Sequence, residues 1–224
     1  FHAFQRLNRL NTAFTKISTG DSVTASAFDV GYNSLSGFNE RFKTVFGTTP
    51  TGDDNKAVIN IIRFTTPIGP MFACSTGNGI CLLEFTDRRM LEFEFRDLTK
   101  RLKAVILPGV NAHLEQVQKE VAEYFEGKRR SFSVPLDLPG TIFQQTVWQN
   151  LLQVPYGETT TYKHLASQIG KPNAVRAVGT ANGFNRVAII VPCHRVISES
   201  GELTGYGGGL HRKKWLIDFE RNNR

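Results

Sequence analysis

The chain has few cysteines and no long apolar run, and each shortage excludes a class of protein. Three Cys in 224 residues are too few and too scattered for a disulfide framework, which favours an intracellular, reducing compartment, the bacterial cytoplasm or a nucleus. They form no C-x-x-C pair, so we expect no metal site. No apolar stretch approaches the ~18 residues of a membrane span, and the amphipathic start from Phe1 to Arg9 does not resemble a signal peptide. Because the chain begins at Phe rather than Met, we expect a fragment or a processed product.

The composition is that of a globular protein with a basic C-terminal part. A 40% apolar share that includes seventeen Phe can fill a core, and 224 residues suit one large or two modest domains. The net charge of +7 divides into +1 over residues 1–56, +2 over 57–136 and +4 over 137–224. A basic excess in the last segment is expected if that segment meets a polyanion, although many proteins with a modest excess bind no nucleic acid.

Residues 1–50 form a helical segment with a helix-turn-helix pattern. Apolar residues from Leu7 to Ile17 recur at helical spacing, and the polar residues 19–21 end the pattern. Ser22 is predicted to cap a short helix through Val30, and residues 31–33 to form a turn. A second helix follows over residues 34–46. Two interpretations stay open, a DNA-reading unit and a helical hairpin with a solvated face. The polar side of the second helix carries Ser34, Ser36, Asn39, Arg41 and Lys43.

Residues 57–136, after a polar linker at 51–55, are predicted to form a small α+β subdomain. A strand is expected over residues 58–64, and a hairpin turns at residues 77–79 between strands at 72–74 and 80–85. Apolar residues at helical spacing indicate helices near 91–102 and 114–124. We expect the sheet to carry its helices on one face. Cys74 and Cys81 lie in predicted strands, where buried, inert thiols are expected.

Residues 137–224 are predicted to be mainly helical. A core helix over 143–152 ends at Pro155-Tyr156-Gly157, and a helix capped by Thr159 or Thr160 runs to Ile169. Another begins at Lys171-Pro172 and continues to about Asn182, which makes a second helix-turn-helix. The apolar residues 188–191 predict a buried strand that leads into Cys193. A glycine-rich loop over 205–209 precedes a last helix over about 211–221.

Cys193 and His194 form the candidate reactive pair. A thiol attacks as thiolate, and a nearby base or positive charge favours that form. Neighbours in an extended chain point to opposite sides, so a bridging water is the simplest relay between the two side chains. Such a base needs a third group to orient it. A buried Cys beside a packed His is the alternative. The acidic candidates for the third group are Glu199, Glu202, Asp218 and Glu220.

Several motifs resemble those of the 6-O-alkylguanine-DNA alkyltransferase family. Ile189-Ile190-Val191-Pro192-Cys193-His194-Arg195-Val196 resembles its active-site motif. Gly140-Thr141-x-Phe143-Gln144-x-x-Val147-Trp148 and Pro155-x-Gly157-Glu158-Thr159 resemble its first helix and the turn that follows. Tyr162-x-x-Leu165-Ala166 and Lys171-Pro172-x-Ala174-Val175-Arg176-Ala177-Val178-Gly179 resemble its helix-turn-helix. The resemblance covers essentially all of residues 137–220.

A second resemblance precedes this one. Gly31-Tyr32, Ser34-x-Ser36-x-Phe38 and Phe42-Lys43-x-x-x-Gly47-x-x-Pro50 are similar to the second half of an AraC-type DNA-binding domain. Together the two suggest the Ada-type branch of the family. The resemblance implies an α+β fold in three parts: a partial AraC-type helix-turn-helix at 1–50, a ribonuclease H-like subdomain of sheet and helices at 57–136, and a mainly helical, winged-helix-like catalytic and DNA-binding domain at 137–224.

The resemblance also implies roles for individual residues. Cys193 is the nucleophile and permanent alkyl acceptor, His194 its water-mediated base, and Glu220 the group that orients His194. Tyr162 assists nucleotide flipping and protonates the leaving guanine, and Asn185 braces the turn before the motif. Arg176 fills the gap left by the flipped base. The other implied DNA contacts are Ala174, Ala177, Gly179, Thr160 and Lys163, and the implied alkyl pocket contains Tyr206, Val196 and Gly207.

The predicted function is single-turnover repair of 6-O-alkylguanine in double-stranded DNA by a monomer, with no cofactor and no membrane, and 4-O-alkylthymine is a further candidate substrate. The main alternative is a DNA-binding regulator of the alkylation response without transfer, supported by the AraC-like segment and opposed by the presence of Cys193. A thiol redox sensor is a third interpretation. It needs a resolving Cys near Cys193, and neither Cys74 nor Cys81 is close in sequence.

Overall fold

The computed structural model describes residues 9–10, 12–14, 16–17, 19–46, 49–51 and 57–224. Its mixed α+β architecture confirms the predicted fold class, with N-terminal helices, a four-stranded sheet flanked by helices, and a helical C-terminal part. Within the described residues, no helix is both long enough and apolar enough to cross a membrane.

The N-terminal helices follow the predicted pattern. The described residues between 9 and 17 are helical, α1 spans Val23–Asp29, and α2 spans Leu35–Phe46. Ser22 caps α1 by accepting a hydrogen bond from the Ala25 amide at 3.1 Å, as predicted. Leu7 and Gly47, which belong to the predicted pattern, lie outside the described residues.

The polar side of α2 differs from the prediction at Arg41. Ser34, Ser36 and Lys43 are exposed. Arg41, however, is partly buried and its guanidinium forms an ion pair with Glu92 at 2.7 Å. Packing of α2 against a helix of the following subdomain therefore removes Arg41 from the free side of α2.

The sheet consists of β1 (Ala57–Thr66), β2 (Gly69–Ser75), β3 (Ile80–Phe85) and β4 (Ala104–Pro108), in the order β3-β2-β1-β4. The pairs β1–β2 and β2–β3 are antiparallel hairpins, and β4 runs parallel to β1. The strand β4 was not predicted from the sequence, because five residues directly after a helix carry little periodic signal of their own. The helix α3 (Leu91–Leu102) connects β3 to β4, and α4 (Ala112–Phe125) follows β4.

The prediction that the helices cover one face of the sheet is wrong. Met71 and Ala73 of β2 pack in the same apolar cluster as α4, whereas Phe72 and Cys74 pack with α3 and the N-terminal helices. Residues 71–75 are consequently all buried, although successive side chains of a strand point to opposite faces. A strand without polar alternation is typical of a sheet covered on both sides.

The C-terminal part contains α5 (Ile142–Leu151), α6 (Tyr162–Gln168), α7 (Val175–Gly183) and α8 (Leu210–Asn222), with the short parallel strands β5 (Thr160–Thr161) and β6 (Val196–Ile197). The helix-turn-helix of α6 and α7 is present, but its starts differ from the prediction. Thr161, not Thr159 or Thr160, caps α6 by accepting from the His164 amide. Lys171 and Pro172 lie in a turn before α7 rather than in its first turn.

Residues 188–191 do not form the predicted strand. Val187 makes a single bridge to Leu83 of β3, and the chain then turns at 188–190, with Ile189 at a φ of 72°. Cys193–Arg195 form one turn of 3₁₀-helix. The residues are buried, as their apolar composition requires, but the sheet does not extend beyond β3 to pair with them.

Candidate active site

Asn185 fixes the buried turn that leads to Cys193. Its side-chain oxygen accepts from the Val187 amide at 3.0 Å, and its amide nitrogen donates to the Val191 carbonyl at 2.9 Å. The same nitrogen is 3.0 Å from the Cys193 sulfur. Asn185 is 1% exposed, so its amide compensates backbone groups that this irregular segment would otherwise leave unpaired.

Cys193 is a buried thiol whose pKa is high. Burial raises it to about 11, although the hydrogen bond from Asn185 lowers it. Arg88 and Lys213 lower the pKa as well, while Glu84 raises it. The sulfur is therefore protonated near neutral pH, and it becomes a strong nucleophile only when a base removes its proton.

His194 occupies the next position of the 3₁₀-helix and faces α8. Its Nε2 lies 2.8 Å from Glu220 Oε1, and both side chains are buried. Burial lowers the pKa of His194 against the opposing effect of Glu220, which favours the neutral imidazole needed in a base. The predicted water relay between the Cys193 sulfur and the His194 ring assumes an extended chain, and that assumption is wrong because both residues lie in the 3₁₀-helix. Within the described residues, however, Nδ1 has no hydrogen-bond partner.

The Glu220 carboxylate takes part in five hydrogen bonds in the protein interior. Besides His194, its carboxylate accepts from Arg195 at 2.8 and 3.0 Å, from the Tyr124 hydroxyl at 2.8 Å and from the Gly157 amide at 3.1 Å. Burial raises the pKa of this carboxyl, but His194 and Arg195 outweigh burial and hold it well below its usual range. Of the four acidic candidates, Glu220 is thus the one beside His194.

Tyr162 begins α6, and its hydroxyl donates to the Thr204 carbonyl at 3.4 Å. The tyrosine ring lies across from Gly179 of α7, where an added Cβ would stand 3.7 Å from it. Tyr162 thus connects the helix-turn-helix with the glycine-rich loop. Burial, and to a smaller extent the Cys193 charge, raise the pKa of Tyr162, which keeps its hydroxyl protonated.

Val196 is buried, and Tyr206 is partly buried beside His194. The Tyr206 ring is nearly perpendicular to that of His194, with 6.5 Å between centroids, and its hydroxyl has no partner among the described residues. The Val196 carbonyl accepts from Lys213 Nζ at 2.6 Å. That Tyr206 and Val196 belong to a pocket for the alkyl group stays a prediction.

The expected DNA contacts divide into two groups. Arg176 and Ala177 are exposed on α7, whereas Ala174 and Gly179 are half-buried. Thr160 is half-buried in β5, and Lys163 is exposed but paired with Glu199 at 3.3 Å. The free polar side of α7 is therefore formed by Arg176 and its neighbours, and Lys163 is partly compensated within the chain.

Two further charged residues support the site and were missed from the sequence, since nothing in their local pattern distinguishes them. Lys213 of α8 is fully buried and also donates to the Thr204 carbonyl at 2.6 Å, and burial lowers its pKa to about 8. Arg88, after β3, pairs with Glu84 at 2.8 Å and Glu94 at 2.9 Å.

Arg88 also connects the subdomains around the glycine-rich loop. It donates to the Gly183 carbonyl at the end of α7, at 2.9 Å. A Cβ added at Gly207 would overlap its guanidinium, so the loop backbone rests directly on Arg88. The absence of a side chain at Gly207 is what permits this contact.

The other two thiols lie in the sheet. Cys74 and Cys81 are free and buried, and burial raises the pKa of Cys81 to about 12 and that of Cys74 well above its usual value. Neither forms a thiolate readily, in agreement with the predicted inert role. Among the residues that the structure describes, no group of three or more His, Cys, Asp or Glu is arranged to hold a metal ion.

Comparison with known proteins identifies three matching segments of the chain. Residues 142–222 match the family described as 6-O-methylguanine DNA methyltransferase, DNA binding domain, and residues 62–138 match its ribonuclease-like domain. Residues 1–53 match a helix-turn-helix domain.

Individual relatives cover most of the same region. A methylated-DNA--protein-cysteine methyltransferase from Mycobacterium bovis is 46% identical over 165 residues, 74% of this chain and 94% of the relative. An inducible one from Bacillus subtilis is 43% identical over 150 residues, 67% of this chain and 83% of the relative. The crystal structure of Mycobacterium tuberculosis OGT in complex with DNA is similar with a TM-score of 0.63 and 43% identity, over 73% of this chain and 94% of that one. The chain therefore belongs to the methylated-DNA--protein-cysteine methyltransferase family and carries a helix-turn-helix segment in front of the family's two domains.

Proposed function

We propose that this chain repairs double-stranded DNA by transferring the methyl group of 6-O-methylguanine to its own Cys193, once per molecule. The observation that carries the proposal is the buried series Asn185, Cys193, His194 and Glu220, in which each residue has a defined chemical use. The relatives are named for transfer of a methyl group from DNA to a protein cysteine. Larger alkyl groups and 4-O-alkylthymine are further candidate substrates.

The proton path begins at the Cys193 thiol. Neutral His194 accepts the proton through a bridging water at Nδ1, the ring nitrogen that has no partner among the described residues. Glu220 stabilises the imidazolium that results, because its carboxylate stays ionised beside Nε2. Asn185 donates to the sulfur and stabilises the developing thiolate.

The transfer itself is a displacement at carbon. The sulfur forms a bond to the methyl carbon as the bond between that carbon and the guanine oxygen breaks, and the electron pair leaves with guanine. Tyr162 supplies a proton to the leaving guanine, since its hydroxyl is protonated and adjoins the same loop as Tyr206. Cys193 becomes a thioether with no route back to the thiol, and no cofactor enters the reaction.

The nucleotide must leave the duplex to reach this buried sulfur. Flipping costs a few kcal/mol of stacking and pairing. We assign Arg176 to the vacated space, because it is exposed on the helix of the helix-turn-helix that carries the free polar side. The small residues Ala174, Ala177 and Gly179 allow the α7 backbone to approach a narrow groove. Tyr206, Val196 and Gly207 line the pocket for the alkyl group, and Thr160 and Lys163 contact the DNA backbone near the start of α6.

Two general features fit this function. The three described cysteines are free thiols, and a reducing intracellular compartment would keep Cys193 in the form that reacts. A single chain contains every residue assigned to the reaction, so we propose that a monomer suffices.

The test is mass spectrometry of the intact protein and its peptides after mixing with duplex DNA that carries one 6-O-methylguanine. We expect a gain of one methyl group per molecule, confined to the Cys193 peptide, and no gain in Cys193→Ser. The peptides of Cys74 and Cys81 are internal controls for unspecific alkylation. Binding of DNA by folded, reduced protein without a change in mass would contradict the transfer and favour a DNA-binding regulator.

A further inference from the structure

The acidic residues of α3 are all engaged within the chain, but most of its basic residues are not. Glu92 pairs with Arg41, Glu94 with Arg88, and Asp97 with both Arg101 and Arg186. Four cations on and beside the helix are exposed and have no ion pair or side-chain hydrogen bond within the described part of the chain. They are Arg89, Arg96, Lys100 and Lys103, here called the α3 basic stripe.

Two of the stripe residues share one side of α3, and the other two lie at its ends. Arg96 and Lys100 are four residues apart within the helix and face the same direction. Arg89 lies in the turn before the helix, and Lys103 is its C-cap residue. With a rise of about 1.5 Å per residue, Arg96 and Lys103 are separated by about 10 Å along the axis. Lys103 ends the helix in the left-handed region, with a φ of 48°. The stripe is therefore a line of uncompensated positive charge, not a scatter of surface residues.

The N-terminal end of the stripe adjoins α7. Phe93, on the same side of α3, is 45% exposed, and its ring centroid is 6.4 Å from that of Phe184, which caps α7. Arg88, which directly precedes Arg89 of the stripe, donates to the Gly183 carbonyl in the last turn of α7. The exposed side of α7, with Arg176, Thr180 and Gly183, thus continues into the exposed side of α3.

We propose that the α3 basic stripe binds the phosphate backbone of the same duplex whose damaged base enters the site, beyond the groove that α7 occupies. The inference rests on the proposed function and extends it to a second DNA-contacting element, supplied by the ribonuclease-like domain. Cations that neutralise phosphates release counterions and bind DNA without regard to sequence. Such contacts suit a repair protein that must act at a damaged base in any sequence.

The experiment compares two double variants, each lacking two exposed cations. Arg96→Gln with Lys100→Gln removes the centre of the stripe. Lys119→Gln with Lys128→Gln is the matched control, since both lysines are highly exposed and belong to α4 and the turn after it, on the opposite face of the sheet. Affinity for a duplex with 6-O-methylguanine is measured between about 50 and 200 mM salt, the range in which phosphate contacts are resolved.

We expect the stripe variant to bind about tenfold more weakly near 100 mM salt, with a log–log salt slope smaller by about 1.8, from roughly 0.9 per phosphate contact. The control should stay within about twofold, and Arg96→Glu with Lys100→Glu should bind more weakly still. The difference between stripe variant and control should vanish when the duplex is shortened on one side of the lesion, because the stripe then has no backbone to contact.

Reaction with the free base 6-O-methylguanine separates the two proposals. All proteins should alkylate Cys193 at the same rate with the free base, which shows that the stripe variants are folded and their sites intact. Equal affinities and slopes for the stripe variant and the control would overturn the stripe proposal and leave the transfer intact. Absence of transfer in the unaltered chain would instead overturn the proposed function.

Discussion

Replacement of Glu220 by Gln tests whether the buried carboxylate holds the site together. The change preserves shape but removes the charge that accepts hydrogen bonds from His194, Arg195, Tyr124 and Gly157. Arg195 would be left as a buried cation without its counter-charge. Removal of one partner of a buried ion pair costs about 3–5 kcal/mol. For a chain of this size, each kcal/mol corresponds to a fall in Tm of about 2–4 °C.

The same substitution should slow the transfer. Glutamine can present its amide nitrogen to His194 Nε2 and so favour the wrong tautomer, and an imidazolium would lose its stabilising charge. We expect the rate of methyl transfer to fall by a factor of about 10²–10⁴, the usual contribution of a positioned base. The rate is measured from single-turnover methylation of Cys193 with excess duplex, and stability from urea unfolding.

Asp218→Asn is the matched control, two residues away on α8. Its carboxylate is about half exposed and pairs with Lys214 at the helix surface. Such a pair contributes about 0.3–0.5 kcal/mol, so the stability of the control should change little.

The pH dependence of stability adds a second check on Glu220. A carboxyl whose folded pKa is depressed stabilises the fold above its unfolded pKa of about 4.3, and this stabilisation is lost as pH falls towards the folded pKa. The free energies of unfolding of the unaltered chain and of Glu220→Gln should therefore differ most at pH 7 and converge progressively as the pH falls below about 4. A loss under 1 kcal/mol with transfer within twofold of the unaltered chain would refute the reasoning.

Three further predictions concern the same site. The rate of transfer should vary little between pH 7 and 9 if His194 removes the proton during the attack, whereas a tenfold rise per pH unit would indicate prior ionisation of Cys193, whose pKa is about 11. Asn185→Asp replaces the donor to the sulfur by a carboxylate and should reduce transfer at least a hundredfold while DNA affinity stays within a few-fold; normal transfer would exclude the assigned role of Asn185. Gly207→Ala should displace Arg88 and cost about 1–3 kcal/mol in urea unfolding, whereas Gly77→Ala, where nothing obstructs a Cβ, should be nearly neutral; equal effects would contradict the contact between the loop and Arg88.

The sequence by itself predicted the features that depend on neighbouring residues. Apolar residues at helical spacing predicted α3, α4 and α5, because the side of a helix that packs against the core repeats its apolar residues at that spacing. Ser22 predicted the start of α1, since an N-cap side chain accepts a hydrogen bond from an amide only three residues away. The motif around Cys193 likewise pointed to the family, and the comparisons confirm that membership.

Features that leave no periodic pattern in the sequence could not be predicted in this way. Apolar composition is common to strands and buried turns, and only the amide of Asn185 and the end of the sheet at β3 decide that residues 188–191 turn. The placement of α3 and α4 on opposite faces is decided by the crossover that makes β4 parallel to β1.

Charged residues show the same division most clearly. An arginine or lysine has the same local pattern whether it meets water, an acid or a carbonyl. Contacts far along the chain bury Lys213 under Val196 and Thr204, place Arg88 between two carboxylates, and engage Arg41 with Glu92. Those contacts decide which cations stabilise the fold and which remain free to bind DNA, because the cost of burying a charge is offset only by partners that the tertiary structure brings together.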